Sequence, residues 1–189
     1  MVLVVGSHEP RKNHLAVLEA AEQLWSHGIW FDLVFIGGSG WQSDDFEREV
    51  GRLLALGRPI CVRRRSSERE LWAAYRLAKF TVFPSLLEGY GLPIVESMAC
   101  GTPVITSNYG SMAEIAEGGG AIMIDPRDST QLAAAMRAMF DDDELLAGLR
   151  AAAAARSWPN WEDYSRDVWQ FLVAPETSLE LDDAYVDPA

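Results

Sequence analysis

Short apolar runs alternate with longer segments of helical periodicity along most of this chain, and that alternation constrains the fold more than any other feature. Apolar runs bounded by glycine, proline and small polar residues are typical of buried strands, whereas apolar residues three and four positions apart are typical of helices. Strands that alternate with helices form βαβ units, which build a parallel sheet. The sequence therefore predicts an α/β fold with a Rossmann-like, doubly wound sheet of about six parallel strands.

The predicted elements follow one another in regular order. The predicted strands are Val2–Val5, Phe31–Ile36, Ile60–Val62, Phe80–Phe83, Val104–Thr106 and Ala121–Ile124. The predicted helices are His14–His27, Asp44–Leu56, Glu68–Leu77, Leu92–Cys100, Ser111–Glu117, Asp128–Phe140, Glu144–Arg156 and Trp161–Val173. The side chains expected to pack inward include Leu15, Leu18, either Ala21 or Glu22, and Trp25 of the first helix, and Leu71, Trp72, Tyr75 and Leu77 of the third.

The charge balance excludes one class of partner. The formal net charge is −12, whereas a nucleic-acid surface needs clustered basic residues, so we expect no nucleic-acid partner. Part of the charge is local to residues 175–189, which contain no Lys or Arg and which we predict to be a disordered acidic tail. Its acidic residues are Glu176, Glu180, Asp182, Asp183 and Asp187.

Cysteine usage and the N-terminus bear on location. Cys61 and Cys100 are far apart in apolar surroundings, so we expect two small buried hydrophobic side chains in a reducing compartment. The histidines are scattered and show no metal-ligand spacing. The first residues lack the basic start and long apolar stretch of a signal peptide, and no apolar run reaches membrane-spanning length. We therefore expect a cytoplasmic location.

Loops that follow parallel strands lie at the ligand-binding edge of such a sheet. The predicted loops there are Gly6–Asn13, Gly37–Ser43, Arg63–Ser67, Pro84–Gly91 and Ser107–Ser111. Asn13 is the expected N-cap of the first helix. Gly38 belongs to a GGSG turn that lacks the G-x-G-x-x-G spacing, so it predicts only a tight turn near a ligand. Arg63 and Arg65 either form a solvated basic loop or border a nucleobase.

The segment from Glu88 to Glu96 places glycines and a proline at the start of a helix. Unpaired N–H groups and the helix dipole suit a phosphate there, and glycines allow close approach of the backbone. Glu96, one turn into the helix, has two interpretations: it accepts hydrogen bonds from a ribose diol, or it only complements the dipole. Glu88, before the glycines, can reach another hydroxylated group. At the same edge Arg11 and an exposed Lys12 either neutralise a diphosphate or form a solvated surface pair.

The stretch PSLLEGYGLPIVESMACGTPVITSN resembles the donor-binding segment of retaining glycosyltransferases of the GT-B type, family 4, also called group 1. That segment has two glutamates separated by seven residues, with Gly–aromatic–Gly–Leu–Pro between them. The matching positions are Glu88, Gly89, Tyr90, Gly91, Leu92, Pro93 and Glu96. VGSHEPRKN, SSERELWAAYRLAKFTVFPS and GSMAEIAEGGGAIMIDPRD resemble neighbouring family segments in the same order.

The resemblance implies the C-terminal, donor-binding domain of an enzyme that moves a hexose from a nucleoside-diphosphate sugar to a hydroxyl acceptor with retained configuration, without metal or cofactor, in polysaccharide or glycolipid biosynthesis. Lys12 and Glu88 would have catalytic roles. The implied donor-binding residues are Arg11, Lys12, Gly38, Arg63, Arg65, Glu88, Gly89, Tyr90, Gly91, Leu92 and Glu96. Ser7 stands where many members have an arginine on the diphosphate, so that role is vacant or passes to Arg11.

On this basis residues 1–174 are expected to form the donor domain, and the family's N-terminal acceptor domain is absent. The isolated chain is then expected not to transfer sugar, and any peripheral membrane association would come through the absent domain. Trp161, Trp169 and Phe171 of the last helix either cross to that domain, as in the family, or pack in the core. Two further alternatives are a non-catalytic nucleotide-binding or assembly module and, with less support from the carboxylate pattern, a sugar-nucleotide epimerase.

Overall fold

The computed structural model describes residues 1–158 and 160–173. The predicted acidic tail lies outside the described residues. The chain divides into two compact units, the first formed by Met1–Arg156 and the second beginning at Ser157. The predicted domain boundary at residue 174 stays a prediction.

One six-stranded sheet forms the centre of the first unit. Its strands are β1 (Val2–Val5), β2 (Leu33–Ile36), β3 (Ile60–Arg63), β4 (Phe80–Phe83), β5 (Val104–Ser107) and β6 (Ala121–Ile124). They are all parallel and lie in the order β3-β2-β1-β4-β5-β6. The order reverses direction between β1 and β4, which is the topological switch point of a doubly wound sheet. The predicted fold class is confirmed.

Helices follow the strands as predicted, with boundaries that differ by at most two residues. They are α1 (His14–Ser26), α2 (Asp44–Ala55), α3 (Glu68–Leu77), α4 (Leu92–Ala99), α5 (Gly110–Ala116), α6 (Ser129–Asp141), α7 (Asp143–Ala154) and α8 (Trp161–Val173). The sequence analysis missed a single 3₁₀ turn, Pro10–Lys12, between β1 and α1. It also began β2 too early: the carbonyl of Phe31 accepts a bond from the Trp25 indole at 3.1 Å, and pairing with β1 starts only at Leu33.

The four central strands of the sheet, β1, β2, β4 and β5, are covered on both faces. Val2 and Val4 of β1 point into a cluster formed with α1 and α6, whereas Leu3 between them points into a second cluster with Tyr75 of α3. All four residues of β4 are buried. Strands covered on both sides read as continuous apolar runs, which is why β1 and β4 could be predicted to the residue.

Three inward-facing predictions are wrong. Leu15 is 44% exposed because the buried stripe of α1 is centred on other residues, and Leu77 is 76% exposed at the last position of α3. Cys61 is exposed because β3 is an edge strand. Along β3 only Ile60 and Val62 are partly buried, and Cys61 and Arg63 alternate with them on the open side.

The last helix, α8, belongs to the second unit and has no buried residue. Trp161, Trp169 and Phe171 are all more than 60% exposed, so the core-packing alternative for these side chains is wrong. The alternative that they face another domain stays a prediction. None of the described helices combines the length and the apolar character needed to span a membrane.

Two histidines lie in the core beside the sheet's carboxyl edge. His8 and His14 are 2% and 4% exposed, and their rings lie 4.4 and 5.6 Å from the Phe46 ring. Burial, followed by the nearby His8 and Lys12, lowers the pKa of His14 to about 3, and burial also lowers the pKa of His8. His14 is therefore neutral in the folded protein across the physiological range.

This burial predicts acid sensitivity. The unfolded chain binds a proton at His14 below pH 6.5, whereas the folded chain binds it only near pH 3, so stability is lost as the pH falls between these values. We expect wild-type protein to lose about 2 kcal/mol more unfolding free energy between pH 7 and pH 5 than His14→Leu does. Urea unfolding at the two pH values measures this. His27→Leu, at an exposed histidine, is the control, and an unchanged pH dependence in His14→Leu would contradict the prediction.

Candidate functional site

The candidate site lies at the switch point, between the loops that follow β1 and β4. β1 and β4 are hydrogen-bonded neighbours, with Leu3 opposite Thr81, so both loops leave the same part of the sheet edge. The Leu86 N–H donates to the Arg11 carbonyl at 2.7 Å and joins the two loops directly. This places the cations of the first loop beside the glutamate of the second.

Glu88 is bound by both cations. Lys12 Nζ lies 2.6 Å from Glu88 Oε1, and Arg11 Nη1 lies 3.0 Å from Glu88 Oε2. Arg11 Nε also donates to Glu9 Oε2 at 2.7 Å, and the Ser7 hydroxyl donates to Glu9 Oε1 at 2.6 Å. The Ser7 hydrogen bond, with help from Arg11, holds the pKa of Glu9 below its usual range. We call these five residues the ion cluster.

Lys12 is buried, so the expectation of an exposed lysine is wrong. Only 9% of its side chain is exposed, and its ammonium lies 5.0 Å from the centre of the Phe83 ring. The 3₁₀ turn directs Lys12 back into the crevice, where its stem passes Gly6; a Cβ on Gly6 would lie 3.5 Å from Lys12 Cε. A buried ammonium needs a counter-charge, and Glu88 supplies it.

Asn13 links this loop to two others. It occupies the N-cap position of α1, as predicted, in the left-handed conformation with a φ of 58°, but its side chain makes no capping hydrogen bond to the helix. Its amide instead donates to the Pro84 carbonyl at 3.2 Å and to the Pro126 carbonyl at 2.8 Å. The Asn13 amide therefore does not cap α1. It links the loops after β4 and β6 to the loop that carries Lys12.

The start of α4 follows Glu88 in the same loop, at the carboxyl edge of the sheet. Gly91 has a φ of 104°, and a Cβ there would lie 3.2 Å from Ile94 Cδ1, so the position favours glycine. Ile94 N–H is taken by the Gly91 carbonyl and Pro93 has no N–H, whereas the Leu92 N–H has no acceptor within the helix by the geometry of a helix start. The helix therefore presents a donor and its positive dipole end to a ligand. Gly89 and Tyr90, which precede it, are exposed.

Glu96 contacts α3. It lies in the second turn of α4, is half-buried, and accepts a 2.7 Å hydrogen bond at Oε2 from the Tyr75 hydroxyl. Burial, followed by the nearby charge of Glu96, raises the pKa of Tyr75 well above its usual range. Tyr75 is therefore a hydrogen-bond donor to Glu96 at any physiological pH.

The remaining predicted residues lie farther along the sheet edge. The Gly38 carbonyl accepts from the His8 N–H at 3.0 Å, which ties the β2 loop to the β1 loop. Arg63 ends β3, two strands from β1, and lies 4.0 Å from Glu70. Arg65 is exposed in the same loop. The structure thus brings Arg11, Lys12 and Glu88 into contact and leaves the two β3 arginines apart from them.

Sequence reasoning missed two parts of the site. Tyr75 was assigned to packing, because a tyrosine on a helix face carries no sign of the carboxylate it will meet 21 residues later. Ser7 and Glu9 were assigned no role in holding Arg11, although the regular two-residue spacing of Ser7, Glu9 and Arg11 in SHEPRK was available as a signal.

The sheet order and this crevice define a Rossmann-like α/β domain. The family model for glycosyl transferases group 1 matches residues 1–156, and the chain belongs to this family, as the spacing of Glu88 and Glu96 predicted. The O-antigen chain mannosyltransferase B of Escherichia coli is 32% identical over 175 residues, which are 90% of this chain and 45% of that protein. The chain therefore spans less than half the length of that relative.

Solved structures share the architecture. Sucrose-phosphate synthase from Thermosynechococcus elongatus matches with a TM-score of 0.75 and 26% identity, over 90% of this chain and 44% of that one. The Anabaena protein HepE, solved in complex with UDP and glucose, matches with a TM-score of 0.66 and 24% identity, over 80% of this chain and 42% of that one. The predicted Rossmann-like domain of the GT-B type is confirmed.

The Asn13 geometry predicts a difference between two small replacements. Asn13→Gly loses both amide hydrogen bonds but keeps easy access to the left-handed conformation, whereas Asn13→Ala loses both advantages. We expect Asn13→Ala to be about 1–2 kcal/mol less stable than Asn13→Gly, and both to be less stable than wild type. Urea unfolding measures the free energies, and equal values for the two variants would show that the backbone conformation carries no cost.

Proposed function

We propose that residues 1–156 bind the nucleoside-diphosphate sugar of a retaining glycosyltransferase that moves a hexose to a hydroxyl acceptor. The observation that carries the proposal is the contact of Lys12 and Arg11 with Glu88 in the crevice at the start of α4. Two cations and a helix N-terminus suit a diphosphate, and the carboxylate between them suits a sugar hydroxyl. The acceptor site is assigned to sequence outside this domain, and the isolated chain is expected not to transfer sugar.

Charge balance explains why the helix end matters. Lys12 and Arg11 are matched by Glu9 and Glu88, so the ion cluster has no net charge of its own. A diphosphate must therefore either compete with a carboxylate for a cation or gain additional donors. The Leu92 N–H and the α4 dipole supply such donors, and each charged hydrogen bond contributes roughly 1.5–3 kcal/mol.

The same groups serve the chemistry. When the glycosidic bond to the diphosphate breaks, negative charge develops on the leaving phosphate, and Lys12, Arg11 and the α4 start stabilise it. The proposal requires no metal ion or cofactor. Retention follows if the acceptor hydroxyl attacks from the face that the phosphate leaves, with the phosphate taking the proton.

Glu88 is not proposed as a covalent nucleophile. Each of its oxygens is held by a different cation, Oε1 by Lys12 and Oε2 by Arg11, which lowers the electron density available for attack. A carboxylate in this state still accepts hydrogen bonds, because each oxygen has a second lone pair. Glu88 is therefore assigned to orient a hydroxyl of the donor sugar.

Other parts of the donor are assigned by position. Glu96 is proposed to bind the ribose diol, and the loop containing Arg63 and Arg65 to border the base. The complex of the Anabaena relative with UDP and glucose supports a nucleoside diphosphate as the ligand class. A cytoplasmic location, where nucleotide sugars are made, and a role in polysaccharide or glycolipid synthesis complete the proposal.

Lysine substitution tests the diphosphate site. The chain offers a matched pair, because Lys79 directly precedes β4 and so lies at the opposite edge of the sheet, with its ammonium 3.5 Å from the Phe140 carbonyl. We expect Lys12→Met to weaken nucleoside-diphosphate binding by roughly 1.5–3 kcal/mol, about tenfold to a hundredfold, and Lys79→Met to leave it unchanged. Calorimetric titration of both variants with UDP, GDP and ADP measures the effect.

Lys12→Met is also expected to destabilise the fold by about 1–3 kcal/mol, because Glu88 keeps Arg11 but loses its buried partner. Circular dichroism at the titration temperature shows whether the variant is folded before binding is compared. Wild-type affinity in folded Lys12→Met would contradict the assignment of the lysine.

Titration with three ligands of increasing size distinguishes the proposed roles of Glu96 and Glu88. Glu96→Gln is expected to weaken a nucleoside diphosphate and spare inorganic diphosphate, which has no ribose. Glu88→Gln is expected to spare the free nucleotide and weaken only the nucleotide sugar. Titration of each variant with inorganic diphosphate, UDP and UDP-glucose, or with the corresponding ligands of the base that binds best, measures both.

One outcome of these titrations would contradict the assignment of both glutamates. If both variants weaken inorganic diphosphate and nucleotide by the same factor, the loop has been disturbed as a whole. Specific hydroxyl contacts would then have no support.

A further inference from the structure

Tyr75 contacts Glu96 from the buried side of the carboxylate. It is completely buried on α3, and its hydroxyl donates to Glu96 Oε2 at 2.7 Å. A buried phenol cannot exchange this acceptor for water, so the hydrogen bond sets where the carboxylate lies. Glu96 itself is half-buried, with its other oxygen unengaged by any hydrogen bond among the described residues.

Buried hydroxyls tie the backbone of α3 at Tyr75 to the neighbouring elements. Thr102 Oγ1 donates to the Tyr75 carbonyl at 2.8 Å, and Ser97 Oγ donates to the Thr102 carbonyl at 2.9 Å. Thr81 Oγ1 and Ser97 Oγ lie 2.7 Å apart and form a further bond. The three hydroxyl residues are at most 4% exposed, and they join α3, α4 and β4 through side chains and one loop carbonyl.

We propose that Tyr75 is a positioning residue that holds the Glu96 carboxylate in the orientation needed to bind two neighbouring hydroxyls of the nucleotide ribose. This inference rests on the proposed function of Glu96. An ionised carboxylate offers about four acceptor positions. Tyr75 uses one position on Oε2 and leaves the second position on Oε2 and both on Oε1, which is sufficient for a diol.

Positioning matters because Glu has a flexible side chain whose rotamers must be restricted when a ligand binds. In this structure the Tyr75 hydrogen bond makes that restriction before the ligand arrives. It also satisfies a carboxylate oxygen that faces the buried phenol. Without the phenol hydroxyl, the carboxylate gains rotational freedom and turns toward solvent.

Tyr75→Phe tests the inference, because it removes only the hydroxyl and keeps the buried ring. The test is a calorimetric titration of the full chain with UDP, GDP and ADP, with their 2′-deoxy counterparts, and with inorganic diphosphate. Wild type is expected to prefer ribose over deoxyribose. Tyr75→Phe is expected to weaken the best-binding ribonucleotide about fivefold to twentyfold, to lose most of the ribose preference, and to bind inorganic diphosphate as wild type does.

Two further variants separate positioning from general destabilisation. Thr102→Val removes a hydroxyl from the same buried network but leaves the phenol on Glu96, so it is expected to lose stability and keep the ribose preference. In a Glu96→Ala background, Tyr75→Phe is expected to have no further effect on binding. Unfolding measurements on every variant confirm that folded proteins are compared.

The outcomes distinguish this inference from the function on which it rests. If Glu96→Ala loses the ribose preference and Tyr75→Phe keeps it, Tyr75 is not a positioning residue and the proposed function stands. A loss of inorganic diphosphate binding in Tyr75→Phe equal to the loss of nucleotide binding also overturns the inference. If Glu96→Ala keeps the ribose preference, both assignments fall.

Discussion

The buried ion pair between Lys12 and Glu88 is the interaction on which the arrangement of this site depends. Each partner is sequestered from water on a different loop, so neither loop can move away without exposing an unmatched charge in a poorly solvated crevice. The pair thus joins the two halves of the doubly wound sheet at the point where they meet. Arg11 and Glu9 extend it outward into a neutral cluster whose outer members are accessible to solvent.

This arrangement resolves a conflict between stability and binding. A crevice lined only with cations would bind a diphosphate tightly but would repel itself when empty. Here the side chains of the ion cluster balance one another, and the attraction for the proposed diphosphate would come from the α4 dipole and from cations that can share their donors. Glu88 therefore has two roles. It is the counter-ion of Lys12 and Arg11 in the free protein, and it accepts a hydrogen bond from a sugar hydroxyl in the proposed complex.

Much of the fold could be predicted from the sequence, because strands buried on both faces have an unambiguous apolar signature. β1 and β4 were predicted to the residue, whereas β2 was not, since a side chain of α1 takes the Phe31 carbonyl. Elements with one open face were harder to predict, as the exposure of Cys61 shows. At the site, the glutamate spacing was readable, but the burial of Lys12 depends on a 3₁₀ turn, and the contact between Tyr75 and Glu96 depends on how α3 packs beside α4. Neither has a local pattern.

The side chain of Asn13 has a consequence for engineering the specificity of this domain. Its two amide hydrogens end on carbonyls of the β4 and β6 loops, so the β6 loop is attached to the same residue, next to Lys12, as the loop that carries Glu88. Grafting the loop after β4 from a relative with another donor would therefore not be a local exchange. A grafted loop that shifts the Pro84 carbonyl also displaces the Asn13 amide that donates to the Pro126 carbonyl. The β1, β4 and β6 loops are therefore best exchanged together, from the same relative.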